Sequence, residues 1–89
     1  MNGKERAGLR ARAQELDVIL HVGKDGINDN LVKQCDDALT ARELIKGTVQ
    51  QNCPLSAREA CDALCGQTGA EGVSVIGRKF VLYRETEEE

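Results

Sequence analysis

The chain has 89 residues, a length that suits one small domain. Its 40% hydrophobic and 30% charged residues are typical of a globular protein and far from the composition of disordered chains. With one Phe, one Tyr and no Trp, the core has to be aliphatic. The same scarcity excludes an aromatic platform for single-stranded nucleic acid, and with it domains of the RRM and OB types.

The net charge of −3 is unevenly distributed along the chain. The last five residues hold four of the 15 acidic residues, so residues 1–84 carry 12 basic against 11 acidic side chains. The stretch from Lys4 to Arg12 has four cations and one acid. This asymmetry predicts a basic face on a domain of residues 1–84, followed by an acidic, disordered tail at 85–89.

Apolar side chains that recur with helical spacing predict three helices. Leu9 and Ala13 lie on one stripe of the first helix. Asn28 or Asp29 is expected to cap the second, and Ser56 with its capping box caps the third. The predicted helices cover residues 3–16, residues 28–41, and a segment from Ser56 to near Gly66 or Gly69.

Short runs of β-branched and aromatic residues predict four strands. Gly47 weakens the second of these strands or marks a bulge in it. A glycine-containing loop at 77–79 separates the last two, which form a hairpin. The predicted strands cover residues 18–22, 44–50, 72–76 and 80–84.

The resulting order of elements, α-β-α-β-α-β-β, defines the expected topology. Strands joined through helices of about ten or more residues run parallel, whereas the closing hairpin is antiparallel. The sequence therefore predicts an α/β fold in which a mixed four-stranded sheet is covered by helices.

A turn bounded by two glycines, Gly23-Lys24-Asp25-Gly26, lies between the first strand and the second helix. Glycines let a backbone approach a ligand closely, and the start of a helix offers free N–H groups that suit phosphate. KH domains clamp an RNA backbone with a GxxG loop in a related way. The alternative is a plain turn in which the glycines only satisfy backbone geometry.

Several cations are candidates for a surface that follows a phosphate backbone. The alternative is that they are ordinary solvated charges. The candidates are Lys4, Arg6, Arg10 and Arg12 in the first helix, Lys24 in the turn, Lys46 in the second strand, and Arg78 and Lys79 in the hairpin loop.

The four cysteines form no C-x-x-C pair, so we expect neither a metal site nor a cofactor. Three of them, Cys35, Cys61 and Cys65, lie on apolar helix stripes and are expected to pack as small hydrophobic residues. Cys53 lies beside Pro54 in a loop, so we expect it to be the most exposed of the four thiols. No nucleophile is positioned near His21, which is read as a solvent-facing residue, and we expect no catalytic residues and no enzyme activity.

The longest apolar run, residues 80–83, is far too short to cross a bilayer, and the first 12 residues have no apolar segment of a signal peptide behind them. We therefore expect a cytoplasmic protein without a membrane partner. Adjacent carboxylates such as Asp36 and Asp37 are expected to be solvated charges.

Several separated motifs, in the right order, closely resemble the CRM-domain family (chloroplast RNA splicing and ribosome maturation) and its small bacterial YhbY-like members. The resemblance extends from Gly3 to Arg84. The motifs are GKERA at 3–7, VGKDGI at 22–27, ARELIK at 41–46, TGA at 68–70 and VIGRKFVLYR at 75–84.

The resemblance implies a compact domain similar to the carboxy-terminal domain of translation initiation factor three. It implies an RNA-contacting loop at Gly23, Lys24, Asp25 and Gly26, with the basic residues of the first helix nearby. Its implied partner is ribosomal RNA in precursors of the large ribosomal subunit. We also expect a monomer and no small-molecule substrate. A protein-interaction adaptor that contacts no RNA stays open as the alternative.

Overall fold

Three helices and four strands alternate along the chain in the computed structural model, which describes residues 3–85. They are α1 (Gly3–Ala13), β1 (Leu20–Val22), α2 (Asp29–Arg42), β2 (Leu44–Val49), α3 (Ala57–Thr68), β3 (Glu71–Ile76) and β4 (Lys79–Tyr83). The predicted order and fold class are confirmed. Within residues 3–85, no helix is long and apolar enough to span a membrane. The predicted acidic tail lies outside the described residues, apart from Glu85.

The four strands form one mixed sheet in the order β1-β2-β4-β3. β1 runs parallel to β2, as expected for strands joined through a helix, and β4 runs antiparallel to both β2 and β3. The last residues of β1, β2 and β3 therefore lie at the same end of the sheet, together with the β3–β4 turn. We call this the turn end of the sheet.

Helices cover the two faces of the sheet unequally. α2 and α3 enclose the larger core on one face, and α1 packs on the other face over a smaller cluster. That smaller cluster consists of Leu9, Ala13, Leu44, Val73 and Val81. Because α1 buries only Leu9 and Ala13 of its own residues, it leaves part of its face of the sheet uncovered.

The bounds of α2, β2 and β3 and the end of β4 differ from the predicted ones by one residue. Three other differences have a structural reason. α1 ends at Ala13, and the next residues form a tight turn in which the Leu16 N–H donates to the Ala13 carbonyl at 3.1 Å. β1 is limited to Leu20–Val22, since residues 14–19 carry the chain from α1 to the edge of the sheet. Lys79 belongs to β4, so the hairpin turn has two residues, and Gly77 takes the positive φ of 60° that such a turn requires.

The predicted helix ends are set by side-chain caps. Asn28 caps α2, because its Oδ1 accepts a hydrogen bond from the Leu31 N–H at 2.9 Å. The capping box of Ser56 and Glu59 is present at the start of α3, with hydrogen bonds of 3.0 and 3.1 Å. Gly69 ends α3 in the left-handed conformation, with φ +73°, so the later of the two predicted ends is right.

Gly47 does not mark a bulge, because β2 keeps a continuous register with β4 from Leu44 to Thr48. The bulge lies in β3, where the register shifts between Gly72 and Ser74. Gly47 instead faces the ring of Phe80, which is buried. A Cβ at position 47 would lie 2.5 Å from Phe80 Cζ and 2.7 Å from Cε2, far inside van der Waals contact. The missing side chain makes room for the aromatic ring in the core.

The cysteines of the two packed helices behave as small hydrophobic residues, as predicted. Cys35 and Cys61 are buried and Cys65 is partly buried. Burial raises the pKa of Cys35 to about 11 and that of Cys61 to about 12. Cys53, predicted as the most exposed thiol, is partly buried like Cys65. It packs against the core, and its Sγ accepts a hydrogen bond from the Leu55 N–H at 3.4 Å. Among residues 3–85, no group of His, Cys, Asp and Glu could hold a metal ion.

Arg84 ties the end of β4 to both helices of the larger core. Its guanidinium donates to the Asp36 carboxylate at 2.6 Å, the Thr40 hydroxyl at 2.9 Å and the Thr68 carbonyl at 2.8 Å. Asp36 and Thr40 belong to α2, and Thr68 is the last residue of α3. The expectation that Asp36 is merely solvated is therefore wrong, because the fold brings a cation from residue 84 to it.

Candidate nucleic-acid interface

The uncovered part of the α1 face lies at the turn end of the sheet. There the strand register places His21 opposite Thr48, Thr48 opposite Lys79, and Lys79 opposite Ile76. Each of the four alternates with a residue directed to the other face, so all four lie on the side that carries α1. Strands lie about 4.8 Å apart, so this row extends over roughly 15 Å. We call these four residues the open row; Thr48 is partly exposed and the other three are exposed.

Beside the open row, a groove of about 550 Å³ separates α1 from β3 and β4. Three cations from three different elements line it, namely Arg10, Lys46 and Lys79. No acidic residue lines the groove, and none of the three cations has a carboxylate partner among the residues that the structure describes. We call it the basic groove, because its positive charge is not offset locally.

The turn at 23–26 follows β1 directly and is closed by a hydrogen bond from the Gly26 N–H to the Gly23 carbonyl at 3.0 Å. Gly26 has φ +65°, a conformation that residues with a Cβ rarely adopt. At Gly23 the φ is ordinary, but a Cβ would lie 3.3 Å from the Gln50 Oε1. Backbone geometry thus accounts for Gly26, whereas at Gly23 the one close atom is the end of the exposed Gln50 side chain, which can move aside. The exposed Lys24 and Asp25 form the tip of the turn.

The start of α2, next to this turn, offers less to an anion than the sequence suggested. The Asn28 side chain already accepts a hydrogen bond from one of the free N–H groups, that of Leu31. Asp29 places a carboxylate in the first turn of the helix. At the turn itself, Asp25 offsets the charge of Lys24. Amide side chains supply most of the remaining polar groups there: Asn28, Asn30, Gln34, Gln50 and Asn52. This surface suits hydrogen bonds to sugar and phosphate oxygens more than strong charge attraction.

The hairpin turn brings Arg78 to the same end of the sheet. Its carbonyl accepts hydrogen bonds from the Thr48 hydroxyl at 3.2 Å and from the Val49 N–H at 2.9 Å. These bonds fix the turn against the end of β2. The exposed Arg78 side chain therefore lies beside the open row.

The other predicted cations of α1 do not join this surface. Lys4 and Arg6 are exposed on α1, but they line neither the basic groove nor the surface around the turn. Arg12 lies on the opposite flank of α1, among Glu5, Glu71 and Glu85. The two flanks of α1 therefore differ in charge, one basic and one predominantly acidic.

Sequence reasoning missed three members of the open row, His21, Thr48 and Ile76. His21 was rightly placed on the solvent side of its strand, but only the parallel register with β2 brings it beside Thr48. Ile76 was taken as part of an apolar strand. The signal was present in the adjacent pair Val75-Ile76, because successive strand residues face opposite sides and both cannot enter one core.

Unpaired cations beside an exposed backbone turn on an open sheet define a surface suited to a phosphate backbone. The family model of the CRS1 / YhbY (CRM) domain matches residues 1–84. The chain therefore belongs to this family, which confirms the resemblance seen in its motifs.

Relatives and a solved structure agree with this assignment. The "Probable RNA-binding protein YqeI" of Bacillus subtilis is 43% identical over 88 residues, which cover 99% of this chain and 92% of the relative. The "Probable RNA-binding protein MJ0652" of Methanocaldococcus jannaschii is 35% identical over 89 residues, covering 98% of this chain and 66% of that protein. The solution structure of the "hypothetical protein SAV1595" of Staphylococcus aureus, described as "a putative RNA binding protein", matches with a TM-score of 0.82 at 44% identity, covering 99% of this chain and 92% of that one.

Proposed function

We propose that this protein binds RNA through the open row, the cations of the basic groove and the turn at 23–26. The observation that carries the proposal is the convergence of Arg10, Lys46 and Lys79 on a groove without acidic lining residues. Such a surface attracts a polyanion, and the names of the relatives support RNA as that polyanion.

The contacts would be made mainly to phosphate and sugar. Lys24 at the tip of the turn, His21 in the open row and Lys79 at the groove are aligned along one end of the sheet. Contacts of this kind position an RNA without reading its bases, so the surface described so far gives modest sequence specificity. Lys24 would contact a phosphate directly, and the main chain of the turn would lie close to the sugar-phosphate backbone of the RNA.

We propose further that the RNA belongs to precursors of the large ribosomal subunit. The support is the family resemblance, which implies association with such particles. In this role the protein acts in the cytoplasm as a monomer that assists assembly, with no catalytic step and no cofactor. A direct test is sedimentation of a cell extract, in which the protein should travel with large-subunit precursors and be released by moderate salt.

Replacing cations by a neutral polar side chain tests the RNA contact. The test variant combines Lys46→Gln with Lys79→Gln, and the control is Lys33→Gln, an exposed lysine of α2 on the other face of the sheet. Each phosphate contact contributes about 0.7 to 0.9 to the slope of log K against log salt. The double variant should therefore flatten the slope for an RNA hairpin by roughly 1.5, whereas the control keeps the slope of the unchanged protein.

The turn is tested separately with Lys24→Gln and Gly26→Val. Lys24→Gln should weaken all RNA ligands about equally, because phosphate contacts are independent of sequence. Gly26→Val should bind more weakly still, since valine resists the φ of +65° and would distort the turn that presents Lys24. If folded variants of groove and turn keep the affinity and salt slope of the unchanged protein, the surface does not bind RNA, and an adaptor function through protein contacts takes its place.

A further inference from the structure

The basic groove has apolar walls as well as cations. Ala13 and Val81 form its buried floor, and Ala7 and Ala11 line the side made by α1. Ile76 lines it from β3 with 75% of its surface exposed, and among residues 3–85 it is the large apolar side chain left exposed. An exposed apolar residue inside a cationic groove indicates a ligand with both an apolar and an anionic part.

We propose that the basic groove takes one unpaired RNA base, with the flanking phosphates on Arg10, Lys46 and Lys79. This inference rests on the proposed function and adds a base-binding subsite to a surface that otherwise contacts only the backbone. The groove volume of about 550 Å³ falls within the ~300–1,000 Å³ typical of small-ligand pockets. A base in a continuous duplex is stacked between its neighbours, so the ligand is a bulged, looped or single-stranded nucleotide.

The polar groups of the groove suit the edge of a base. Gln14, directly after the end of α1, and Ser74 on β3 both line it, and each side chain both donates and accepts hydrogen bonds. The two aromatic side chains of the chain lie elsewhere, so the faces of the base would contact Ile76 and the guanidinium plane of Arg10. Stacking without an aromatic ring is weak, and the subsite should therefore give a preference for unpaired bases rather than strict recognition.

Charge favours this occupant over an apolar peptide. Of the residues that the structure describes, three cations and no acid line a groove whose floor is apolar, which matches a base joined to phosphates on both sides. An uncharged peptide anchor would fill the apolar part and leave three cations without a counter-charge. The acidic surface that contains Glu5, Glu71 and Glu85 lies on the other flank of α1 and does not compete for the same ligand.

Two RNA hairpins with the same stem, one of them carrying a single bulged nucleotide, form the probes. The unchanged protein should bind the bulged hairpin roughly five-fold more tightly, near the low end of what stacking of one base contributes. Ala11→Leu fills the groove, and Ile76→Thr removes its exposed apolar side chain while keeping a β-branched residue in the strand. Ala41→Leu, an exposed alanine of α2 on the other face, is the matched control.

Ala11→Leu and Ile76→Thr should each abolish the preference for the bulged hairpin, and Ala41→Leu should keep it. Both groove variants keep Arg10, Lys46 and Lys79, so binding of the continuous hairpin should stay steeply dependent on salt. Equal binding of both hairpins by the unchanged protein, or a preference that survives both groove variants, would overturn the subsite. In those cases a steep salt slope would still support backbone binding, so only this inference fails. If neither hairpin binds with a steep salt slope, the proposed function fails and the subsite fails with it.

Discussion

Replacing Gly47 by alanine should destabilise the protein, although glycine is normally a poor residue for a central strand. In most strands the change to alanine would stabilise by about 0.5–1 kcal/mol, because glycine loses more backbone entropy on folding. Here the new Cβ would lie 2.5, 2.7 and 3.1 Å from three atoms of the Phe80 ring, where ordinary contacts begin at 3.4 Å. The ring is 1% exposed and has no solvent-filled space into which it could move.

The magnitude follows from the overlap. Inserting a carbon into a packed core costs about 1–3 kcal/mol. After subtraction of the entropic gain of alanine, the free energy of unfolding should fall by roughly 1–2 kcal/mol. For a domain of this size, that loss corresponds to a fall in melting temperature of about 5–15 °C.

Thermal and urea unfolding of Gly47→Ala measure this loss. The double variant Gly47→Ala with Phe80→Leu isolates its cause, because a smaller side chain at position 80 leaves room for the new Cβ. Phe80→Leu alone is destabilising, but adding Gly47→Ala to it should cost much less than adding Gly47→Ala to the unchanged protein. If Gly47→Ala is as stable as the unchanged protein or more stable, or if its cost is the same in both backgrounds, then contact with the Phe80 ring does not explain the glycine.

Further predictions concern the Arg84 contacts and the thiols. Arg84→Lys should lower the free energy of unfolding by about 1 kcal/mol in urea titrations, because one ammonium can replace the Nη1 bonds to Asp36 and Thr68 but not also the Nη2 bonds to the Asp36 carbonyl and the Thr40 hydroxyl. An unchanged midpoint would contradict this role. At pH 8 in native protein, a thiol reagent should modify Cys53 well before Cys35 and Cys61, whose pKa values are raised to about 11 and about 12 by burial; rapid modification of all three would refute it. Since those pKa values lie above the 9.0 of an ordinary thiol, the unfolded chain loses its protons first. The stability that these protonated thiols contribute is thus complete below pH 9 and is lost as pH rises toward 11 or 12. Urea midpoints that stay constant above pH 9 would show that folding does not raise the pKa of these thiols.

Local sequence signals predicted the elements of this fold well, because capping boxes, helical stripes and glycine turns act within a few residues of one another. Ser56 with Glu59 and the αL glycine at 69 are examples in which the local chemistry alone determined a helix end. The shortened β1 could not be predicted in the same way. Its length depends on how many residues the chain needs to travel from α1 to the edge of the sheet, and that path is set by tertiary packing.

Local signals also predicted part of the candidate site. Lys24 and the turn at 23–26 carry a local pattern, and the cations of the hairpin and first helix were recognised individually. Their grouping follows from tertiary structure: strand register sets Lys79 opposite Thr48 and Ile76. The way α1 packs on the sheet brings Arg10 to the groove and leaves Lys4 and Arg6 outside it. The contacts of Arg84 could not be predicted from local sequence, since its partners lie as many as 48 residues away along the chain.

Crosslinking the protein to RNA in growing cells, with identification of the crosslinked peptide and nucleotide, tests the central claim most directly. We expect crosslinked peptides from residues 21–26 and 76–79, joined to large-subunit ribosomal RNA. Crosslinks confined to α2 and α3, or the recovery of ribosomal proteins without RNA, would contradict the assignment of the turn end of the sheet as the RNA-binding surface.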